Sequence, residues 1–91
     1  MTTDPWKQMR EQMPVVAHAS YLDHAAVAPL SGPAADRVTR WNQEASEQGD
    51  LIWPKWAAEV ERIRQTAASM INAKLDEIAF VGNTTMGIHF V

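Results

Sequence analysis

Ninety-one residues with a net charge of −3, an apolar share of 46% and four Trp make one small folded unit the expectation and argue against wholesale disorder. Zero Cys excludes a disulfide scaffold, thiolate metal sites and a Cys nucleophile, and fits a cytoplasmic protein. Scattered Lys and Arg argue against nucleic acid as a partner, Met1-Thr2-Thr3-Asp4-Pro5 carries no secretory signal, and the longest uncharged run, 78–91, is too short and polar to span a membrane.

In chain order, Asp4-Pro5 reads as an N-cap followed by Pro at the first helical position, opening a short helix over 5–12 that Pro14 ends. Residues 15–22 read as extended, with a short strand at Ser20-Tyr21-Leu22. The small-residue segment 23–29 reads as a loop. Ser31-Gly32-Pro33 starts the first long helix, on which Ala34, Val38, Trp41 and Ala45 form an apolar stripe and Gly49 is the C-cap. After the connection Asp50-Leu51-Ile52-Trp53, Pro54 opens a second long helix reaching about Ala73. Trp56, Val60, Ile63, Ala67, Met70 and Ile71 line one of its faces, while Glu59, Glu61, Arg62 and Arg64 lie largely on the other. Lys74-Leu75-Asp76 turns into a strand over 78–81, and a last helix starts near Thr84. No repeat or low-complexity segment interrupts this order. One strand forms no sheet alone, so its partners are expected elsewhere.

The most informative stretch is Glu77-Ile78-Ala79-Phe80-Val81-Gly82-Asn83-Thr84-Thr85-Met86-Gly87-Ile88, a strand-like run entering a Gly-containing turn at a helix start. Free backbone N–H groups and hydroxyls converge on an anion at such a place, most often a phosphate. No Gly-Lys-Ser/Thr follows, so this is not a Walker A loop, and the spacing is not a dinucleotide fingerprint. The structural alternative is a strand-to-helix turn with a Thr cap.

Far upstream, Tyr21-Leu22-Asp23-His24-Ala25-Ala26-Val27-Ala28-Pro29-Leu30 resembles the Tyr-Leu-Asp-Asn-Ala-Ala-Thr-x-Pro opening of the class V aminotransferase family, which includes the cysteine desulfurases and selenocysteine lyases. In that family the opening is followed by two helices and a strand ending in a Gly-x-Thr turn at a helix start. The resemblance runs from Tyr21 onward. It implies an α/β fold class: the N-terminal part of a fold-type-I transferase dependent on pyridoxal phosphate, mostly helical here with one or two short strands. Residues 1–20 are then an N-terminal arm, and 21–91 begin the cofactor-binding domain, stopping inside its first phosphate-binding helix.

Carried over by position, the resemblance implies that Asn83, Thr84 and Thr85 hold the cofactor phosphate, through backbone N–H groups and the Thr85 hydroxyl, at the positive end of a helix dipole. It places His24, Ala25 and Ala26 in a substrate-side loop, where small side chains admit close backbone approach. His24 stands where Asn is usual, Val27 where Thr is usual, and Met86 where cysteine desulfurases commonly carry Glu. These departures leave the reaction open among transamination, desulfuration or other elimination, and racemisation of an amino-acid substrate.

His24 beside a substrate has the chemistry of an acid, a base or a carboxylate ligand; as a loop His bonded to solvent or backbone it needs no role. His18 and His89 carry no motif, and no metal-ligand spacing is present. Trp41, Trp53 and Trp56 read as core or interface aromatics. Pyridoxal phosphate also needs a Schiff-base Lys and a carboxylate at its pyridinium nitrogen. The family carries both further downstream, and Lys7, Lys55 and Lys74 match neither role, so no residue of this stretch is expected to be catalytic by itself. Family members are homodimers with the active site at the interface, which makes a second copy an expected partner of the full enzyme. The rival reading is a free-standing helical interaction module without cofactor.

Overall fold

The computed structural model describes residues 4–91; residues 1–3, the first positions of the expected N-terminal arm and of the stretch read for a secretory signal, lie outside it. Four α-helices follow in order: α1 (Pro5–Glu11), α2 (Gly32–Gln48), α3 (Trp53–Met70) and α4 (Thr84–His89). Shorter 3-10 turns occupy Pro14–Ala17, Gly49–Ile52 and Leu75–Glu77. The described chain divides into two compact units, Met1–Gly49 and Asp50–Val91.

In the first unit the local chemistry fixes the helix ends. The Asp4 carboxylate accepts from the Trp6 N–H at 3.0 Å, and Pro5 presets the first turn of α1. Ser31 repeats the device for α2, its hydroxyl accepting from the Ala34 N–H at 3.2 Å, with Pro33 in the first turn. The Gly32 N–H donates to the Gln12 carbonyl at 2.7 Å, bringing the start of α2 back to the end of α1. Gly49 closes α2 at φ 55°, ψ −129°, a conformation open in practice to glycine.

In the second unit, α3 ends in a complete Schellman motif. Asn72 takes the left-handed conformation at φ 54°, its N–H reaches the Ser69 carbonyl, and the Ala73 N–H reaches the Ala68 carbonyl at 2.8 Å. The chain then doubles back, so that the Leu75–Glu77 turn packs on α3. Glu77 holds that turn by accepting from the Lys74 N–H at 2.7 Å. Ala68 and Ile52 are the two buried hydrophobic residues of the described chain, and none of its side chains is fully buried.

The expected α/β fold class is corrected here: among the described residues there is no strand, and the architecture is all-helical. Ile78 does take an extended conformation at φ −108°, ψ 124°, and 79–81 are also non-helical, but no second extended segment pairs with them. A strand exists through its ladder of hydrogen bonds, so an extended run without a partner is a connection. The strand expected at Ser20-Tyr21-Leu22 is likewise unpaired. Part of the expected 15–22 extension winds into the Pro14–Ala17 turn instead, because Pro14 favours a tight helical start.

Two smaller expectations also change. The second long helix stops at Met70, where Asn72 turns the backbone left-handed. Its apolar stripe is only partly covered: Val60, Ile63, Met70 and Ile71 are exposed, and Trp56 and Ala67 are half-buried. None of Trp41, Trp53 and Trp56 sits in a core.

Candidate functional site

The two candidate segments belong to different units and are described separately. In the first, the Asp23 carbonyl accepts from the N–H groups of Ala26 (3.2 Å) and Val27 (3.3 Å), which curls 24–26 into a turn. The Tyr21 hydroxyl then donates to the Val27 carbonyl at 2.6 Å and ties the ends of the loop together. The His24 ring meets the Tyr21 ring edge-on at a centroid distance of 5.3 Å. Tyr21 is half-buried, whereas His24, Ala25 and Ala26 are exposed, so the loop presents an imidazole and two small side chains to solvent.

The other side of this loop borders a cavity of about 260 Å³ lined by Arg10, Met13, Val16, Ser20, Tyr21 and His24. Arg10 and Ser20 are additions that the sequence did not reveal. Their proximity to His24 comes from the return of the chain over α1, and no spacing rule carries it.

In the second unit, α4 begins at Thr84. Asn83 is its N-cap, the side-chain Oδ1 accepting from the Met86 N–H at 2.8 Å while the Asn83 carbonyl accepts from Gly87. The cap is therefore Asn83 and not a Thr. The Gly82 N–H is directed at the Met86 Sδ, 3.4 Å away. A Cβ on Gly87 would stand 3.5 Å from Val81 Cγ2, so α4 folds closely against the extended run that precedes it.

These contacts leave a defined remainder. The N–H groups of Thr84 and Thr85 lie in the first turn, ahead of any intrahelical acceptor. Neither Thr hydroxyl has a hydrogen-bond partner among the described residues, and both residues are exposed. Two N–H donors and two hydroxyls at one exposed turn form a donor set of the kind that accepts an anionic oxygen group. Asn83 contributes through its backbone, since its side chain is already engaged in the cap.

Lys7, Lys55 and Lys74 lie in α1, in α3 and at the start of the Leu75–Glu77 turn. Among the described residues no cluster of His, Asp and Glu could hold a metal ion, and no helix is long and apolar enough to cross a membrane. The chain matches no family model, no curated protein and no solved structure.

Proposed function

We propose that this chain contributes two parts of a pyridoxal-phosphate site in an enzyme similar to the class V aminotransferases, acting on an amino acid by transamination, elimination such as desulfuration, or racemisation. The observation that carries the reading is the uncommitted donor set of Thr84 and Thr85 at the start of α4. The two N–H groups and the Thr85 hydroxyl would hold the phosphate, with Asn83 fixing the turn that aims them. When bound, the cofactor supplies an electron sink for the substrate's α-carbon. The loop at His24, Ala25 and Ala26 would face the substrate, His24 binding its carboxylate or holding a proton at a ring nitrogen. A Lys outside the set Lys7, Lys55 and Lys74 anchors the cofactor, and the full enzyme is a cytoplasmic homodimer.

Thr85→Ala tests the cradle. A hydroxyl donating to a charged acceptor contributes about 1.5–3 kcal/mol, so pyridoxal-phosphate affinity should fall roughly ten- to a hundredfold. Thr84→Ala should lose less, because its backbone N–H survives. Equilibrium dialysis of the cofactor against each variant, assembled with the polypeptide that carries the Lys, reads both. Equal affinity in Thr85→Ala and the parent sinks the phosphate assignment.

A second reading, a helical interaction module without cofactor, is favoured by one observation: the apolar residues of α3 that remain open to solvent. Such a module would bind its partner undiminished in both Thr variants.

A further inference from the structure

The cavity of about 260 Å³ beside α1 is walled by two kinds of side chain. Met13, Val15 and Val16 are apolar, whereas Arg10, Ser20 and His24 bring hydrogen-bond donors. The backbone holds both sets in place. The Met13 N–H reaches the Arg10 carbonyl at 3.0 Å, and the N–H groups of His18 and Ala19 reach the Val15 carbonyl at 3.0 and 3.1 Å. The chain from α1 to Ala19 is therefore a succession of closed turns. Beyond it, the bond from the Tyr21 hydroxyl to Val27 fixes the loop that carries His24. None of the three donors is spent. Among the described residues the Arg10 guanidinium and the Ser20 hydroxyl have no hydrogen-bond or ion-pair partner, and His24 has only its edge contact with Tyr21. Among the described residues no Asp or Glu lines the cavity, so nothing in its wall competes for the guanidinium or balances a cation.

We propose that this cavity is a binding site for a short aliphatic monocarboxylate. The Arg10 guanidinium, planar and permanently charged, holds the carboxylate through two N–H donors. Ser20 and His24 each supply one further donor to its oxygens. The aliphatic tail lies against Met13, Val15 and Val16, where it leaves water. Volume sets the length of that tail. At roughly 30 Å³ per water molecule the cavity holds about eight or nine such volumes, which suits an acid of about eight non-hydrogen atoms. A dicarboxylate would set its second charge against the apolar wall, and an amino acid would bring an ammonium group where no counter-charge awaits it. The site is thus narrower in chemistry than the substrate-facing role given to His24 above. It does not rest on the cofactor reading, since its donors are open whether or not α4 holds a phosphate.

Titration of the chain, without cofactor, with 4-methylpentanoate is the test, followed by the backbone amide resonances of Arg10, Ser20 and His24. These should shift together and saturate at millimolar acid or below. 4-Methylpentanamide, which keeps the shape and loses the charge, should bind at least about tenfold more weakly. Acetate should lose about fourfold for each carbon removed, and leucine should also bind more weakly than the acid. Arg10→Gln should lower affinity about tenfold or more. Arg10 is exposed, so circular dichroism should show unchanged helix content. The ligand comparison needs no variant and decides even where Arg10→Gln disturbs the fold. Thr85→Ala should bind the acid as the parent does, so a failed phosphate cradle and a failed acid site give different results. No saturable shift in the parent, equal binding of the amide, acetate or leucine, or undiminished affinity in a folded Arg10→Gln would each overturn the site.

Discussion

Tyr21 and Gly49 show how much single residues settle in this chain. The phenol hydrogen bond to Val27 closes a seven-residue loop whose other hydrogen bonds are backbone turns. Tyr21→Phe keeps the ring against His24 and removes only that bond. It should cost about 0.5–1 kcal/mol and speed amide exchange at Ala26 and Val27. Gly49 has open space where a Cβ would go, yet its φ of 55° and ψ of −129° resist any other residue. Gly49→Ala should destabilise by about 1–3 kcal/mol in a denaturant melt despite causing no clash. The capping roles of Asp4, Ser31 and Gly49 were legible in the sequence because each acts within three or four positions of itself. The Tyr21–Val27 tie was not legible, since in an apolar pattern a Tyr counts as a hydrophobe and its hydroxyl partner is a carbonyl with no side-chain identity. The same holds for Asn72, which takes a left-handed cap more often given to Gly.

Among the elements, the helices could be read from the sequence, whereas the strand expected over 78–81 is an unpaired connection. Proline in the first turn and a capping side chain are local signals, and α1 and α2 begin where those signals placed them, while α3, which has Pro54 but no capping side chain, begins one residue earlier, at Trp53. A strand is defined by a neighbour, and the run at 78–81 has apolar composition without one. The stripe of α3 illustrates a further gap between pattern and burial. Periodicity identifies which residues share a face, but nothing local states whether anything covers it, and here Ile63 and Met70 stay open. At α4 the cap is the dominant local restraint, since six residues give few intrahelical bonds. Asn83→Ala should therefore cost about 1 kcal/mol and abolish protection of the Met86 amide in hydrogen exchange. The same loss at Ser31→Ala should leave the 17-residue α2 formed, with fraying confined to its first turn.

For the whole molecule, two buried hydrophobic residues among the described positions are a small core for 91 residues. Hydrophobic burial has to offset a conformational entropy cost of about 1–2 kcal/mol per ordered backbone residue, and a chain this open recovers little of it. We expect a low-temperature, weakly cooperative melt whose midpoint rises with protein concentration, because association buries surface that folding alone leaves wet. A concentration-independent, sharply cooperative melt would contradict this. The lysines give a second expectation at this scale. Lys7, Lys55 and Lys74 lie on helices or at a turn, apart from the donor set in sequence. Mixed with pyridoxal phosphate, treated with borohydride and desalted, the chain should retain no cofactor at one defined Lys. A single stoichiometric adduct at any of the three, found by peptide mapping, would show that this chain carries its own anchor. Of the candidate site, the residue types at Asn83, Thr84 and Thr85 were legible. That Asn83 caps the helix and leaves both Thr hydroxyls uncommitted emerged only from the geometry.

The contact between Gly82 and Met86 carries a chemical liability. The turn leading into α4 is steadied by a thioether sulfur that accepts from the Gly82 N–H at 3.4 Å, on a side chain 42% exposed to solvent. Hydrogen peroxide would convert that sulfur to a sulfoxide, exchanging a weak, soft acceptor for a strongly polar oxygen on a bulkier, chiral group. The methyl group next to that sulfur lies 3.4 Å from where a Gly82 Cβ would be, so this end of Met86 sits close over the turn and its oxidation should weaken the Gly82 contact. Oxidation at Met86 should thus loosen the turn that carries the Thr84–Thr85 donors, and replacing Met86 with Leu should make that turn indifferent to peroxide.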